Sequence, residues 1–394
     1  MISDPVRLGI VGLGRAFALT APALLADKRV NPVAACAPRT ESRAAFEGRF
    51  GGRAYADLDG LLAHSGLEAV YIATPHELHA SQTLEAASAG KHVLVEKPLA
   101  VSMDDGAAMI AACERAGVSL IVGPCHSFDR PVARARARID SGVFGRVRMM
   151  LAFNYTDYLY RPRRPVELRT GQGGGVVFGQ AVHQVDVVRL LAGAPAASVT
   201  AFTGSWDPAR PTEGAYAAVL NFRDGAFASI AYSGYGRFDS DVWMDGIGEL
   251  GHDKNPSDYG RARRALAAGV TPEAETALKR ARTFDAASVP APAPHNEHFG
   301  PVVVCCERGD IRLTPDGLWL CGDEQRFEPV PATTDPRTPV LDALVAAVRE
   351  GVQPIQDGRW GLASLEVCHA MLESASTGAP VELTRQDAAH PGGT

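Results

Sequence analysis

The rhythm of the first 125 residues constrains the fold more than any other feature of the sequence. Short apolar runs alternate there with helix-length segments. RLGIV (7–11), VAAC (33–36), AVYIA (69–73), HVLVE (92–96) and LIVG (120–123) read as strands. An Ala- and Leu-rich stretch to about Ala26, DLDGLLAH (57–64), HELHASQTLEAASAG (76–90) and the segment from Ser102 to Ala116 read as helices. Strands that are apolar throughout, separated by helices, belong to a parallel sheet covered on both faces. Local signals agree with this. Asp57 stands as an N-cap, Ser102 with Asp105 forms a capping box, and Gly90 and Gly117 close their helices. Pro22 lies inside the first helix and predicts a kink there, because an interior proline loses a helix hydrogen bond.

The first strand runs into GLGRAF, so Gly12 and Gly14 lie between a strand and a helix that opens with Arg15 and Ala16. A glycine at such a turn lets the backbone reverse, and a second lets a pyrophosphate approach the helix N-terminus. Phe17 replaces the third glycine of the usual fingerprint. The second strand of such a unit normally ends in an acid that bonds the ribose 2′-hydroxyl. Here Ala37 stands in that place, with Arg39, Thr40, Ser42 and Arg43 after it. The reading is an NAD(P) site, with NADP slightly favoured by Ala37 and Arg39.

After residue 125 the pattern changes. An Ala- and Arg-rich helix (130–140) is followed by RVRMMLAFNY, AAVLNF, AFASIAY, VVVCC and IRL, separated by turns such as RDG and PDG, which predicts antiparallel strands. VLDALVAAVREG and RWGLASLEVCHAMLESASTG are amphipathic helices, while residues 234–300 show no clear pattern. The expected organisation is a nucleotide-binding domain over 1–125, a substrate-binding and oligomerisation domain over 126–385, and a flexible tail over 386–394. A net charge of −6 argues against a nucleic-acid partner. Seven scattered cysteines without a CxxC, and the lack of a leader or a membrane-length apolar run, predict a cytoplasmic protein that stays off the membrane.

Four motifs now carry a resemblance: GLG (12–14), ATPHELH (73–79), GKHVLVEKP (90–98) and His183-x-x-Asp186. Together they resemble the Gfo/Idh/MocA oxidoreductase family. The resemblance implies an α/β chain with an N-terminal Rossmann parallel sheet. It also implies a C-terminal α/β domain with an open, largely antiparallel sheet that often makes the contact in a homo-oligomer, a dimer or tetramer. Thr74, Pro75, His79, Glu96 and Lys97 then fall on the cofactor side. Lys97, at the end of a parallel strand, becomes the proton-handling residue and His183 its acid/base partner, with Asp186 supporting. The pair His183 and Asp186 has too few neighbouring ligands for a metal site.

One departure is informative. The family commonly carries an aspartate four residues before the histidine, where it meets a sugar hydroxyl; this chain has Gly179. Just upstream, Arg161, Arg163 and Arg164 cluster among tyrosines, and Arg169 follows. Guanidinium groups bind carboxylates through paired hydrogen bonds. His126, in CHSFDRP, is placed near the domain crevice. Within the family the pattern is most similar to phthalate-type cis-dihydrodiol dehydrogenases. That implies oxidation of a small anionic cyclic diol to a catechol, with His126 and the three arginines toward substrate. A sugar or polyol dehydrogenase is the alternative activity, and a non-catalytic NAD(P)-binding sensor the alternative of another class.

Overall fold

The computed structural model describes residues 4–286, 292–333 and 335–386. They form two compact units. The first holds residues up to Pro124, the stretch beginning at Ala277, and Arg337–Leu362. The second holds Cys125–Thr276, the stretch beginning at Pro292, and the chain from Ala363 onward. A single cut near residue 125 therefore misses two later stretches that belong to the first unit. Such long-range returns leave no periodic mark in a sequence.

In the first unit, β1 (Val6–Val11), α1 (Arg15–Ala26), β2 (Val30–Cys36), α2 (Thr40–Phe50), β3 (Arg53–Tyr55) and α3 (Leu58–Leu62) precede β4 (Ala69–Ile72), α4 (His79–Ser88), β5 (His92–Val95), α5 (Met103–Ala116) and β6 (Leu120–Val122). Among the described residues the sheet is six-stranded and parallel, in the order β3-β2-β1-β4-β5-β6. Strand β4 is buried end to end, and β1 and β5 are buried apart from Arg7 and His92, as apolar runs between two helical layers must be. Asp57 and Ser102 accept backbone N–H bonds as N-caps, and Gly117 closes α5 with φ +66°. The helix α1 runs across Pro22. The sequence reading missed α2 and β3. The former buries only Ser42 and Phe46, and the latter is three residues long.

The second unit begins with α6 (Arg130–Asp140), β7 (Val147–Tyr155), α7 (Val182–Ala192), β8 (Ala196–Gly204), β9 (Ala215–Phe222) and β10 (Phe227–Ser233). The region without a clear pattern holds two short helices, α8 (Arg261–Ala267) and α9 (Pro272–Arg280). Then come β11 (Val302–Cys306), β12 (Gly309–Thr314), β13 (Gly317–Cys321) and β14 (Gln325–Pro329). The chain ends in α10 (Thr338–Glu350), α11 (Gly358–Thr377) and β15 (Val381–Glu382). The second sheet is nine-stranded among the described residues, in the order β14-β13-β12-β11-β7-β10-β9-β8-β15. It is mixed: β7 and β10 pair in parallel and every other neighbour is antiparallel. One face is buried, with Ala218, Leu220, Ile230 and Tyr232 pointing into it, whereas Leu151, Val219 and Phe227 on the other face are exposed.

The helix α10 belongs to the first unit and buries Val340, Leu341, Leu344 and Ala347, one stripe at helical spacing. Its Arg349 donates to Glu68 at 2.7 and 2.8 Å, and this holds the Glu68 carboxyl below its ordinary range. The predicted flexible tail begins too early. Gln386 is buried, accepts from Arg189 at 3.1 Å and donates to the Ala363 carbonyl at 2.8 Å. The rest of that expectation, residues 387–394, lies outside the described residues.

Candidate active site

The turn after β1 fits a dinucleotide. Gly12 has φ +93°, and a Cβ there would lie 2.8 Å from the Thr74 side chain, so only glycine fits. Gly14 caps α1 without a side-chain hydrogen bond, and a Cβ on it would meet no atom closer than 3.9 Å. The first N–H groups of α1 thus face an open approach, the arrangement that receives a pyrophosphate. Arg15 stands exposed at the first helical position, with Ala16 beside it.

At the ends of β4 and β5 the residues are tied together. Glu96 accepts from the Tyr71 hydroxyl at 2.6 Å, and burial raises the Glu96 pKa above its ordinary value. Lys97 follows, joined to Pro98 by a cis peptide bond. His79, expected on the cofactor side, is fully buried instead. Its Nδ1 lies 3.0 Å from the Pro98 carbonyl and its Nε2 3.1 Å from the Thr74 carbonyl. It fastens the Lys97–Pro98 turn to the Thr74–Pro75 turn. The Thr74 hydroxyl donates to Gln82 at 2.6 Å. Arg39, expected to face a 2′-phosphate, gives its guanidinium to Asp285 at 2.6 and 3.0 Å.

In the second unit the run of glycines at 173–175 has a specific purpose. Gly173 and Gly175 have φ of +78° and +81°, and a Cβ on Gly175 would coincide with the Glu213 carboxylate. That carboxylate accepts from the Val177 N–H at 3.1 Å and from the hydroxyls of Thr212 and Thr170. A buried anion therefore sits on the opening N–H groups of the helical segment that carries His183. The segment starts as a π-turn, Val177–Ala181, before continuing as α7. Such wide turns recur at functional sites. Gly179 lies in this π-turn, and a Cβ there would fall 2.9 Å from the Tyr158 hydroxyl. The space of the missing side chain is filled by a phenol.

His183 meets two rings of its own unit: His126, with centroids 4.7 Å apart, and Phe299, at 4.6 Å. The Nδ1 of His126 lies 2.6 Å from Asp129 Oδ2. A carboxylate only accepts, so Nδ1 carries a proton, and in the neutral ring Nε2 is then the basic nitrogen. His126 and Asp129 also line a small pocket with Gln184, His298 and Phe299. Asp186 is tied to the backbone of its own unit. It is buried and accepts from the Ser127 N–H at 2.7 Å, which locks α7 to the turn carrying His126.

The arginine cluster is not a free cationic patch. Arg161 donates to Asp157 at 2.9 Å and lies 3.7 Å from Glu249. The Arg163 guanidinium lies over the Tyr158 ring, 3.6 Å from its centre, and donates to that residue's carbonyl. Arg164 lies 3.5 Å from Glu167. Acids spaced three or four residues along the same loop account for most of this pairing, a signal present in the sequence. Sequence reasoning also missed Asp129, three residues after His126, and had no means of finding Tyr158, Glu213 or Asp285, which arrive by tertiary contact. Among the described residues no His, Cys, Asp and Glu group is arranged to hold a metal, and no helix is long and apolar enough to cross a membrane.

Taken separately, the parallel sheet with its glycine turn and the mixed sheet with its histidine helix define a nicotinamide-nucleotide oxidoreductase. Residues 6–124 match the oxidoreductase family with an NAD-binding Rossmann fold, and residues 132–252 match the Gfo/Idh/MocA C-terminal domain. The chain belongs to the Gfo/Idh/MocA family. It is 42% identical to a 1-carboxy-3-chloro-3,4-dihydroxycyclohexa-1,5-diene dehydrogenase of Comamonas testosteroni, over 93% of this chain and 94% of that one. A crystal structure from Bordetella bronchiseptica RB50 is also 42% identical, with a TM-score of 0.91, covering 96% of this chain and all of the other. The fold is shared with the WlbA dehydrogenase of Bordetella pertussis, solved with NADH and UDP-GlcNAcA, at 24% identity and a TM-score of 0.68 over 98% and 99% of the two chains.

Proposed function

We propose that the protein oxidises a carboxylated cis-dihydrodiol, of the phthalate or carboxycyclohexadiene type, to the corresponding catechol. The similarity to the Comamonas enzyme over nearly the full length carries this reading. Gly179 supports it: the Tyr158 hydroxyl fills the space where a side chain, such as a carboxylate suited to sugar hydroxyls, would begin. Gly12, Gly14, Arg15 and Ala16 would hold the pyrophosphate of NAD(P)⁺, which would supply the hydride acceptor for one carbinol carbon. Lys97 and His183 take the hydroxyl proton as the ketone forms. Aromatisation then needs a second proton transfer, from the neighbouring carbinol carbon. The Nε2 of His126, with Asp129 fixing its tautomer, takes that proton while the ketone oxygen regains the proton given up by the hydroxyl. Two hydrogens leave the substrate, one as hydride and one as a proton to solvent. The substrate carboxylate would draw on Arg161, Arg163 or Arg164, each of which already faces a partner: Arg161 faces Asp157 and Glu249, Arg163 the Tyr158 ring and Arg164 Glu167.

A panel of carboxylated cis-dihydrodiols, their neutral analogues and sugars tests the reading, with reduced cofactor as the readout. The acids should be turned over and the sugars should not. Turnover of sugars alone would replace the reading with the polyol alternative.

We also propose a homo-oligomer formed through the open face of the mixed sheet. Met149, Leu151, Val219, Phe227, Phe202 and Phe327 are exposed there, on strands whose registers place them on one side. A second copy of the chain is the partner that fits an apolar sheet face of this extent.

A further inference from the structure

The end of β2 carries no acid in sequence, yet an acid stands beside it in the fold. It comes from Asp285, 246 residues after Arg39. Phe284 anchors the segment. It is 1% exposed, its ring centroid lies 4.8 Å from that of Phe17 and 6.0 Å from that of Phe50, and the Arg49 guanidinium lies 4.6 Å over it. All of these partners lie on α1 and α2, the helices that flank β2 in the chain. Seating Phe284 delivers Asp285 to the start of α2. Arg39 donates to both Asp285 oxygens, at 2.6 and 3.0 Å, and the Ser42 hydroxyl donates to Oδ1 at 3.0 Å. Thr283 donates to the same oxygen at 2.9 Å. Burial alone would raise the Asp285 pKa, but the bonds from Arg39, Thr283 and Ser42 outweigh it and hold the carboxyl below its ordinary value.

Arg39 and Ser42 are the donors that a 2′-phosphate would use. We propose that Asp285 is the cofactor-discriminating residue: an internal anion that occupies Arg39 and Ser42, excludes a 2′-phosphate, and makes the site select NAD over NADP. The physical reason is a fork already filled. A dianionic phosphate would have to displace a bidentate carboxylate and remain beside its charge, an arrangement that disfavours binding strongly. A ribose hydroxyl needs neither. This reverses the expectation drawn from Ala37 and Arg39, because that expectation counted only acids near in sequence.

Calorimetric titration of the full-length protein with NAD⁺, NADP⁺, 5′-AMP and adenosine 2′,5′-bisphosphate reads the preference without turnover. Wild type should bind each unphosphorylated member of a pair at least about ten-fold more tightly. Asp285→Asn, which keeps shape and removes charge, should shift that ratio toward the 2′-phosphorylated member by about ten-fold or more. The shift should vanish in Asp285→Asn/Arg39→Ala, where the freed guanidinium is gone. The ratio of kcat/KM for NAD⁺ and NADP⁺ should move the same way. Equal or tighter binding of the 2′-phosphorylated compounds by wild type would overturn the proposal. So would an unchanged ratio in Asp285→Asn, with thermal melting showing that the variant is folded.

Discussion

At the scale of single residues, Gly179 and His126 each carry a prediction. Gly179 is held to glycine by one atom. The Tyr158 hydroxyl lies 2.9 Å from where its Cβ would be, and the next nearest atom of that ring is 3.7 Å away, an ordinary contact. Gly179→Ala should therefore destabilise the wild type by ~1–3 kcal/mol through overpacking. In a Tyr158→Phe background it should be neutral or slightly stabilising, since alanine is the better helix former. Thermal or urea unfolding of the four proteins in this cycle reads the coupling, and simple additivity would deny the contact. For His126 the prediction concerns chemistry. His126→Ala should still form reduced cofactor from a carboxylated dihydrodiol while catechol appears later, with a larger isotope effect when the second carbinol carbon carries deuterium. Catechol rising in step with reduced cofactor in that variant would remove His126 from the proton path. The histidines and glycines themselves were legible in sequence. What surrounds them was not, because Tyr158 lies 21 residues from Gly179 in the chain and is adjacent only after folding.

At the scale of elements, the helix bearing His183 depends on an anion from elsewhere. Glu213 immediately precedes Gly214 and β9, and its carboxylate sits on the N–H of Val177 between two threonine hydroxyls. Glu213→Ala would leave a buried N–H and a gap, at a cost of ~1–3 kcal/mol. The opening of the helix should then loosen, so kcat should fall more than KM rises. Glu213→Gln retains an acceptor and should restore most of the stability and the rate. Equal kinetic effects of both variants would mean that charge, not position, is what Glu213 supplies. The sequence made the glycines at 173–175 conspicuous. It could not say what they make room for. Most elements of the first unit were legible because their periodicity and caps are local, as with Asp57, Ser102 and Gly117. The helix α2 was not, because it buries only Ser42 and Phe46.

At the scale of the whole molecule, the open sheet face is the feature with a predicted consequence. Leu151 on β7 and Val219 on β9 are each about 40% exposed, and both pair in register with Ser229 of β10. Leu151→Asp or Val219→Asp places a charge in the middle of that face. Size-exclusion chromatography with light scattering should show wild type as an oligomer and these variants shifted toward monomer. A wild type that elutes as a monomer would remove the proposed interface.

The sequence by itself determined the parallel sheet, the glycine turn that receives a dinucleotide, the lysine at a strand end and the histidine helix. Each is written in local periodicity or in residues adjacent along the chain, where strand and helix geometry translate directly into pattern. Only the tertiary structure decided which charges are already spent. It brought Glu249 to Arg161, Glu213 to the helix that carries His183, and Asp285 to Arg39 from 246 residues away. Electrostatic partnership depends on distance in space, and chain separation does not encode it.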